Sequence, residues 1–387
     1  MARKGVSSDM DADVAVVGLG TMGAMAAWRL ARSGADVIGF EQYGIAHDRG
    51  AAGGESRLFR MAYHEGPQYV PLLRRARTLW HELAELSGRP LLTTTGCLSI
   101  GPPAIAPMRN VLRSVREHGL EHTVLDGAEL AERYPQHAAR DGEIGVLDAQ
   151  GGVLRPELAV LSAAEQARAH GARLLDRTTV TELLVEDGGV RVRTDSGEFT
   201  AGRVVVTAGP WTGQLLPELG RRITVRPIVL TWFAPGRGST AADYAPDRFP
   251  AFIRDTGGVH LFGIPVMDGT WVKTGFADAW GDLPDPGSFT RDVDEDRLRP
   301  VAEAVAALLP GLHPDPVRHS VYVEGYTRDR TAMVGRVHER AVVLAGFSGH
   351  GFKMAPVFGQ IAADLALDGG TGFDLAPMAP DRFAAAP

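Results

Sequence analysis

A chain of 387 residues, 44% hydrophobic and 22% charged, is neither disordered nor fibrous and is long enough for two domains. Its formal net charge of −7 argues against nucleic acid and anionic membranes as partners. The single cysteine, Cys97, excludes an internal disulfide framework and a thiolate zinc site.

Residues 1–11 read as a disordered leader with no apolar signal-peptide core, and no stretch approaches membrane-spanning length. The expectation is a cytoplasmic, soluble protein. Residues 13–17 are a short apolar, β-branched run, as in a buried parallel strand, and a helix rich in Ala, Met and Leu follows over 21–32. Gly34 ends it, and 36–41 read as a second strand, giving a βαβ start. Helical spacing recurs over 70–86 and 156–170. Strand-like runs at 178–185, 189–194 and 198–200 lead into a strand at 203–207. Alternation over 224–235 carries Trp232 and Phe233; 259–264 and 270–276 read as paired strands about a turn at 267–269. A helix over 292–309, a core strand at 341–346 and a helix over 355–367 complete the chain.

Nucleotide-type segments thus stand at the start, middle and end, with strand-rich, aromatic segments between them. This predicts a mixed α/β fold: a Rossmann-like dinucleotide-binding domain interleaved with an antiparallel-sheet substrate domain. The expected bounds are 12–85, 150–222 and 320–372 for the first, 86–149 and 223–319 for the second, and a tail over 373–387.

Gly18-Leu19-Gly20-Thr21-Met22-Gly23 follows a strand and opens a helix. Gly18 permits the tight turn, Gly20 lets backbone approach a pyrophosphate, and Gly23 lets helix and strand pack closely. The helix start offers free N–H groups and a positive dipole end to phosphate. Glu41, at the end of the next strand, can accept hydrogen bonds from ribose hydroxyls. This motif alone does not separate FAD from NAD.

Further small-residue turns follow strands at Ala208-Gly209-Pro210-Trp211 and at Gly346-Phe347-Ser348-Gly349-His350-Gly351-Phe352-Lys353. The second precedes a helix, which would aim its positive end, beside Lys353, at a flat ligand. Ser56-Arg57-Leu58-Phe59-Arg60 sets two arginines one turn apart if the segment is helical, and arginine suits bidentate carboxylate recognition. Lys273 alternates with Trp271 and Gly275 in a strand pattern. Each of these four cations also fits a solvated surface residue. The twelve histidines show no metal-ligand spacing, so no metal is expected, and Cys97 reads as a buried small hydrophobe.

Together these segments resemble the D-amino-acid-oxidase superfamily of flavoproteins, and within it the branch of monomeric sarcosine and N-methyltryptophan oxidases. The motifs occur in order: GLGTMG with Glu41, GGESRLFRMAYHEG followed by QYVPL, TTTGCLSIGP, GGVLRPE, VVVTAGPW, WVKTG, GYTRD and GFSGHGFKMAP. The resemblance implies FAD, an amine substrate and molecular oxygen, with no nucleic-acid or membrane partner and a monomer or weak homo-oligomer. The reaction it implies is hydride transfer from a secondary amine or N-substituted amino acid to flavin N5, then imine hydrolysis and hydrogen peroxide formation.

Residue by residue, the resemblance assigns Gly18, Gly20, Thr21, Met22, Gly23, Glu41 and Gln42 to the ADP moiety, with Val180 at the adenine. Ser56, Arg57, Ala208, Gly209, Trp211, Glu324 and the stretch Gly349, His350, Gly351, Phe352, Lys353 fall beside the flavin. Arg60 and Lys353 match the pair that holds the substrate carboxylate, and Lys273 the lysine that activates oxygen. Tyr326 falls at the substrate pocket.

Two departures stand out. The family links FAD through a cysteine where this chain has Glu324, so noncovalent FAD with a lowered reduction potential is expected. The tyrosine and histidine that sarcosine oxidase sets over its substrate match Phe262 and Ala277, so a larger or more apolar substrate than sarcosine is expected. His260 lies two residues from Phe262, on the same face of a regular strand. The alternatives on the same fold are an FAD-dependent dehydrogenase and an alcohol or sugar oxidase.

Overall fold

The strand Ala12–Val17 lies inside an eight-stranded sheet, hydrogen-bonded in parallel to Val37–Phe40 on one side and Gly197–Val206 on the other. The computed structural model describes residues 10–276 and 280–383. Val37–Phe40 pairs in parallel with Arg173–Leu175, while Gly197–Val206 changes partners along its length. Its first half closes an antiparallel hairpin with Gly189–Thr194, and its second half runs parallel to Ala341–Ala345. Segments from three distant parts of the chain therefore meet at one sheet end, as the interleaving of nucleotide-type segments predicts.

The helices Thr21–Arg32, Val70–Ser87, Pro156–Ala169 and Ala355–Leu367 cover one face and share the largest apolar core with it. Small residues let them approach closely. A Cβ on Gly359 would meet the Met25 backbone at 2.5 Å. Trp28 and Trp80 are fully buried in this layer.

The second sheet also has eight strands. Its order is Arg318–Tyr326, Thr224–Phe233, Val272–Phe276, Val259–Ile264, Ala251–Thr256, Cys97–Gly101, Ile144–Asp148 and His122–Leu125. All pairs are antiparallel except Ala251–Thr256 with Cys97–Gly101. Side-chain alternation gives the sheet two faces. One face carries Leu98, Ile100, Phe252, Leu261, Val272 and Val321 into a core closed by the helix Glu295–Leu308. Its charged exception is Arg254, paired with Glu143 and fully buried. The opposite face carries Ser99, Asp255, His260, Phe262, Lys273, Tyr322, Glu324 and Tyr326, as the strand registers require. That face looks onto the functional site.

Four expectations change in detail. Residues 57–59 form a strand, Arg57–Phe59, in a small third sheet with Gly152–Leu154 and Leu92–Thr94, so the two arginines are not one helical turn apart. Residues 320–326, read with the nucleotide-binding segments, belong to a strand of the second sheet. Asp11, placed in the leader, hydrogen-bonds Thr200. Within the tail, residues 376–383 form two short turns, tied by Arg382 to Asp329. Among the described residues no helix is long and apolar enough to cross a membrane.

Candidate active site

The turn after the first strand is shaped by its glycines. Gly18 sits at φ +87°, and a Cβ there would meet Thr207 O at 2.7 Å. A Cβ on Gly23 would fall 1.7 Å from Gly18 O, so Gly23 serves the packing and lines no cavity. Gly20 differs: a Cβ there would meet nothing within 4 Å. The helix Thr21–Arg32 starts beside that open space with no side-chain cap and no acidic residue in its first turn. Glu41, almost fully buried, accepts from Leu19 N–H (2.9 Å) and Tyr43 N–H (3.0 Å). Its carboxylate is thus fixed next to the helix start.

One cavity of ≈ 550 Å³ links this turn to the inner face of the second sheet. Gly18, Gly20, Thr21, Met22, Glu41, Gln42 and Val180 line it, and so do Ser56, Arg57, Ala208, Gly209 and Trp211. Glu324, Tyr326 and Gly349 to Lys353 line it too, as do Arg60, His260 and Phe262. Ala277 falls outside the described residues. The residues fit FAD on observations independent of any resemblance: uncapped N–H groups face open space, a fixed carboxylate stands beside them, and two glycine-rich turns border the same cavity.

The 346–351 turn is stitched to the second sheet. Ser348 N–H donates to Gly325 O (3.1 Å), and Thr327 N–H donates to Ser348 Oγ (3.1 Å). His350 Nε2 donates to Arg330 O (2.8 Å), which leaves Nδ1 to accept from the Tyr63 hydroxyl (3.1 Å). Burial pushes the His350 imidazole down from its ordinary value, consistent with this neutral tautomer.

Two cations flank the Tyr63 ring, Arg60 at 4.7 Å and Lys353 at 5.5 Å from its centroid. Arg60 Nη2 pairs with Glu65 at 2.8 Å, while Nε and Nη1 are buried with no hydrogen-bond partner. Lys353 makes a single hydrogen bond, to His350 O at 3.1 Å. Burial, then Arg60, push its pKa down to about 7. Unsatisfied buried donors are costly, and two such groups on one cavity wall suit an anionic ligand group. Asp148 fixes the loop that carries Arg60 by accepting from the amides of Met61 and Ala62.

Lys273 is also buried, but it lies behind the wall. It does not line the cavity; its ammonium donates to Gly54 O (2.8 Å), Ser56 O and Ser56 Oγ (2.8 Å). Burial, then Arg57, push its pKa well down, yet three acceptors in place match the three donors of an ammonium. Gly53 and Gly54 let this loop pass the sheet: a Cβ on Gly53 would sit 2.0 Å from the Tyr322 ring, and Gly54 has φ +103°. Arg57 braces the same loop through Ser56 O (2.8 Å) and Ala51 O (2.6 Å).

Glu324 is buried, and desolvation raises its pKa; the Gly349 amide, Arg57 and Lys353 oppose that shift. Cys97 is buried away from the cavity with its thiol pushed up to about 12. Phe262 lies over its cross-strand partner Gly275, where a Cβ would meet the ring at 2.3 Å. Sequence reasoning missed Glu65, Ile253, Arg226, Trp280 and Asp282 on the cavity wall, and Asp255 and His64 just behind it. Only the fixed spacing of Glu65 from Arg60 left a local trace.

The fold and the cavity together define a flavin-dependent oxidoreductase. A family model described as FAD dependent oxidoreductase (DAO) matches residues 13–365, and the chain belongs to that family. It is 35% identical to the monomeric sarcosine oxidase of Streptomyces avermitilis, over 97% of this chain and 98% of that protein. It is 34% identical to the N-methyl-L-tryptophan oxidase of Salmonella dublin, over 97% of this chain and 100% of that protein. The open form of NikD, described as an unusual amino acid oxidase essential for nikkomycin biosynthesis, shares its structure with a TM-score of 0.81. That match has 25% identity and covers 95% of this chain and 97% of the other.

Proposed function

We propose that the protein oxidises a carbon–nitrogen bond of an N-substituted amino acid or carboxylate-bearing secondary amine, with FAD held noncovalently and oxygen as the final acceptor. The observation that carries this reading is the pair of underused cations, Arg60 with two unpartnered donors and Lys353 with one hydrogen bond, on the wall that also borders the flavin-side turns.

FAD, when bound, supplies the hydride acceptor, and its reoxidation by oxygen yields hydrogen peroxide. The chain's own residues do the rest. Gly20, Thr21 and Met22 present N–H groups to the pyrophosphate, and Glu41 accepts from the ribose. Arg60 and Lys353 grip the substrate carboxylate and so fix which carbon faces the redox centre. Phe262, Ile253 and Leu230 line the cavity with apolar surface that excludes water and favours a larger or less polar substituent than sarcosine's methyl group. Lys273 places a fixed positive charge behind Ser56, where it favours the charge that develops as oxygen is reduced. Glu324 stands where a linking thiol would be, and Cys97, the one cysteine of the sequence, is buried elsewhere, which supports a flavin held without a thioether.

A dehydrogenase reading draws on one observation, the separation of Lys273 from the cavity by Ser56. Anaerobic flavin bleaching by a panel of N-substituted amino acids, cyclic imino acids and their hydroxy analogues tests the proposal. Bleaching by an amine, with one peroxide per turnover on admitting air, supports it. Bleaching without peroxide selects the dehydrogenase, and bleaching by the hydroxy analogue alone rejects amine oxidation.

A further inference from the structure

Three titratable groups at the cavity have no part in the chemistry above. Asp255 and His260 are directly paired across the hairpin of Ala251–Thr256 with Val259–Ile264. His260 Nδ1 lies 2.5 Å from Asp255 Oδ1. Asp255 Oδ2 lies 3.1 Å from His64 Nδ1, though without the alignment of a hydrogen bond, and His64 Nε2 is 2.9 Å from Ser99 Oγ. The two imidazoles meet edge to face at 6.3 Å. His64 is buried, whereas the His260 side chain is 37% exposed and lines the cavity with Phe262.

The asymmetry of the cluster sets its chemistry. Asp255 is held below the usual carboxylate range by its two histidines, against desolvation, and stays charged. Burial, then Arg60, push the His64 imidazole down to about 4, so it is neutral and does not compete as the counter-charge. Within this cluster His260 alone is both next to a carboxylate and open to the cavity. A carboxylate on Nδ1 fixes the tautomer with Nδ1–H and leaves the Nε2 lone pair free. Beyond Asp255, the charged groups acting on His64 are Arg60 and Glu65, on the loop before Val70–Ser87, and Arg140 lies near the hairpin turn at Gly257. Arg226, Asp282, Glu324 and Lys353 stand elsewhere on the same wall.

We propose that His260, oriented by Asp255, is the base that takes the proton from the ammonium form of the substrate amine. The inference rests on the amine-oxidase reading. At neutral pH a secondary amine arrives protonated, and its nitrogen lone pair must be free before a hydride can leave the adjacent carbon. In this step the ammonium N–H bond breaks, its electron pair stays on the substrate nitrogen, and the proton bonds to His260 Nε2. The exposed edge of the ring then returns it to water. No electrons leave the substrate at this stage.

Two measurements test the assignment. With 15N-histidine labelling, the signal lost in His260→Asn identifies the His260 ring. Its shifts above neutral pH should show Nδ1–H with a bare Nε2, and the opposite tautomer overturns the proposal without any turnover. Anaerobic rapid mixing of the holoenzyme with a bleaching amine gives the pH profile of flavin reduction. His260→Asn should slow reduction on the order of 10²-fold near neutrality and recover as pH approaches the amine's own pKa. Asp255→Asn should shift the profile the same way with smaller amplitude, which keeps the test open if the first variant does not accumulate. A profile that matches wild type, or a loss equal at every pH, overturns the proposal. If no amine bleaches the wild-type flavin at any pH, the amine-oxidase reading itself fails.

Discussion

The Lys273 ammonium lies 2.8 Å from Ser56 Oγ, and Ser56, not the lysine, forms the surface of the cavity. A charge so placed acts through one hydroxyl and the loop carbonyls that fix it. Lys273→Met should therefore slow reoxidation of the reduced enzyme by oxygen by roughly 10²–10³-fold, the loss typical of removing one preorganised electrostatic group. Bleaching by substrate should change only a few-fold. Stopped-flow mixing of reduced enzyme with oxygen checks this, and unaltered reoxidation would remove Lys273 from the oxygen step.

Lys353, with its pKa near 7, gives anion binding a pH dependence. The amine is cationic below that value and neutral above it, so affinity for a carboxylate is full at low pH and falls as pH rises through 7. The bound anion raises the lysine pKa in turn, so the complex loses its proton later than the free pocket does. The dissociation constant of a redox-inert carboxylate, followed by flavin absorbance, should weaken by up to about tenfold per pH unit above neutrality. Lys353→Met should flatten that dependence.

Arg60 and Glu65 form a half-used pair. Removing the guanidinium would delete the proposed contact with the substrate carboxylate and leave Glu65 without its partner. Arg60→Ala should raise KM for a carboxylate-bearing amine by an amount equivalent to roughly 2–5 kcal/mol. Arg60→Lys keeps the charge but not the fork, and should recover part of the loss. Equal KM values for wild type and Arg60→Ala would show that the substrate carboxylate binds elsewhere.

Glu324 predicts two properties of the flavin. Acid precipitation should release all of it into the supernatant, whereas yellow colour retained in the pellet would show a covalent link. Glu324→Gln removes a potential negative charge beside Arg57 and Lys353, and should raise the reduction potential in a dye-coupled titration. A potential that does not move means that Glu324 is already protonated at the working pH.

The local parts of the fold were legible because local chemistry fixes them. Gly18 to Gly23 between two apolar runs leaves few alternatives to a strand–turn–helix, and the paired strands 259–264 and 270–276 announce themselves by alternation and a turn. Strands Ala251–Thr256 and Ile144–Asp148 did not stand out. Each is short, and their buried positions continue on both faces, so alternation is blurred. Arg57 and Arg60 were legible as a pair of cations, but Arg57 was not legible as a strand residue, because spacing by three suggests a helix until the pairing of Arg57–Phe59 with Gly152–Leu154 is known. The contact of Asp255 with His64 joins positions far apart in sequence, and only the parallel pairing of Ala251–Thr256 with Cys97–Gly101 and the loop packed over it bring them together.

The two faces of the second sheet also bear on how such an enzyme can change its substrate. Along Val259–Ile264, His260 and Phe262 belong to the pocket, while Leu261 belongs to the core. A point substitution at Phe262 changes the shape of the pocket and leaves the core intact. A one-residue insertion or deletion would turn Leu261 toward the substrate and drive His260 or Phe262 into the apolar layer. Lineages built on this sheet can therefore explore new amines by replacement, residue by alternate residue, while changes of length are confined to the hairpin ends.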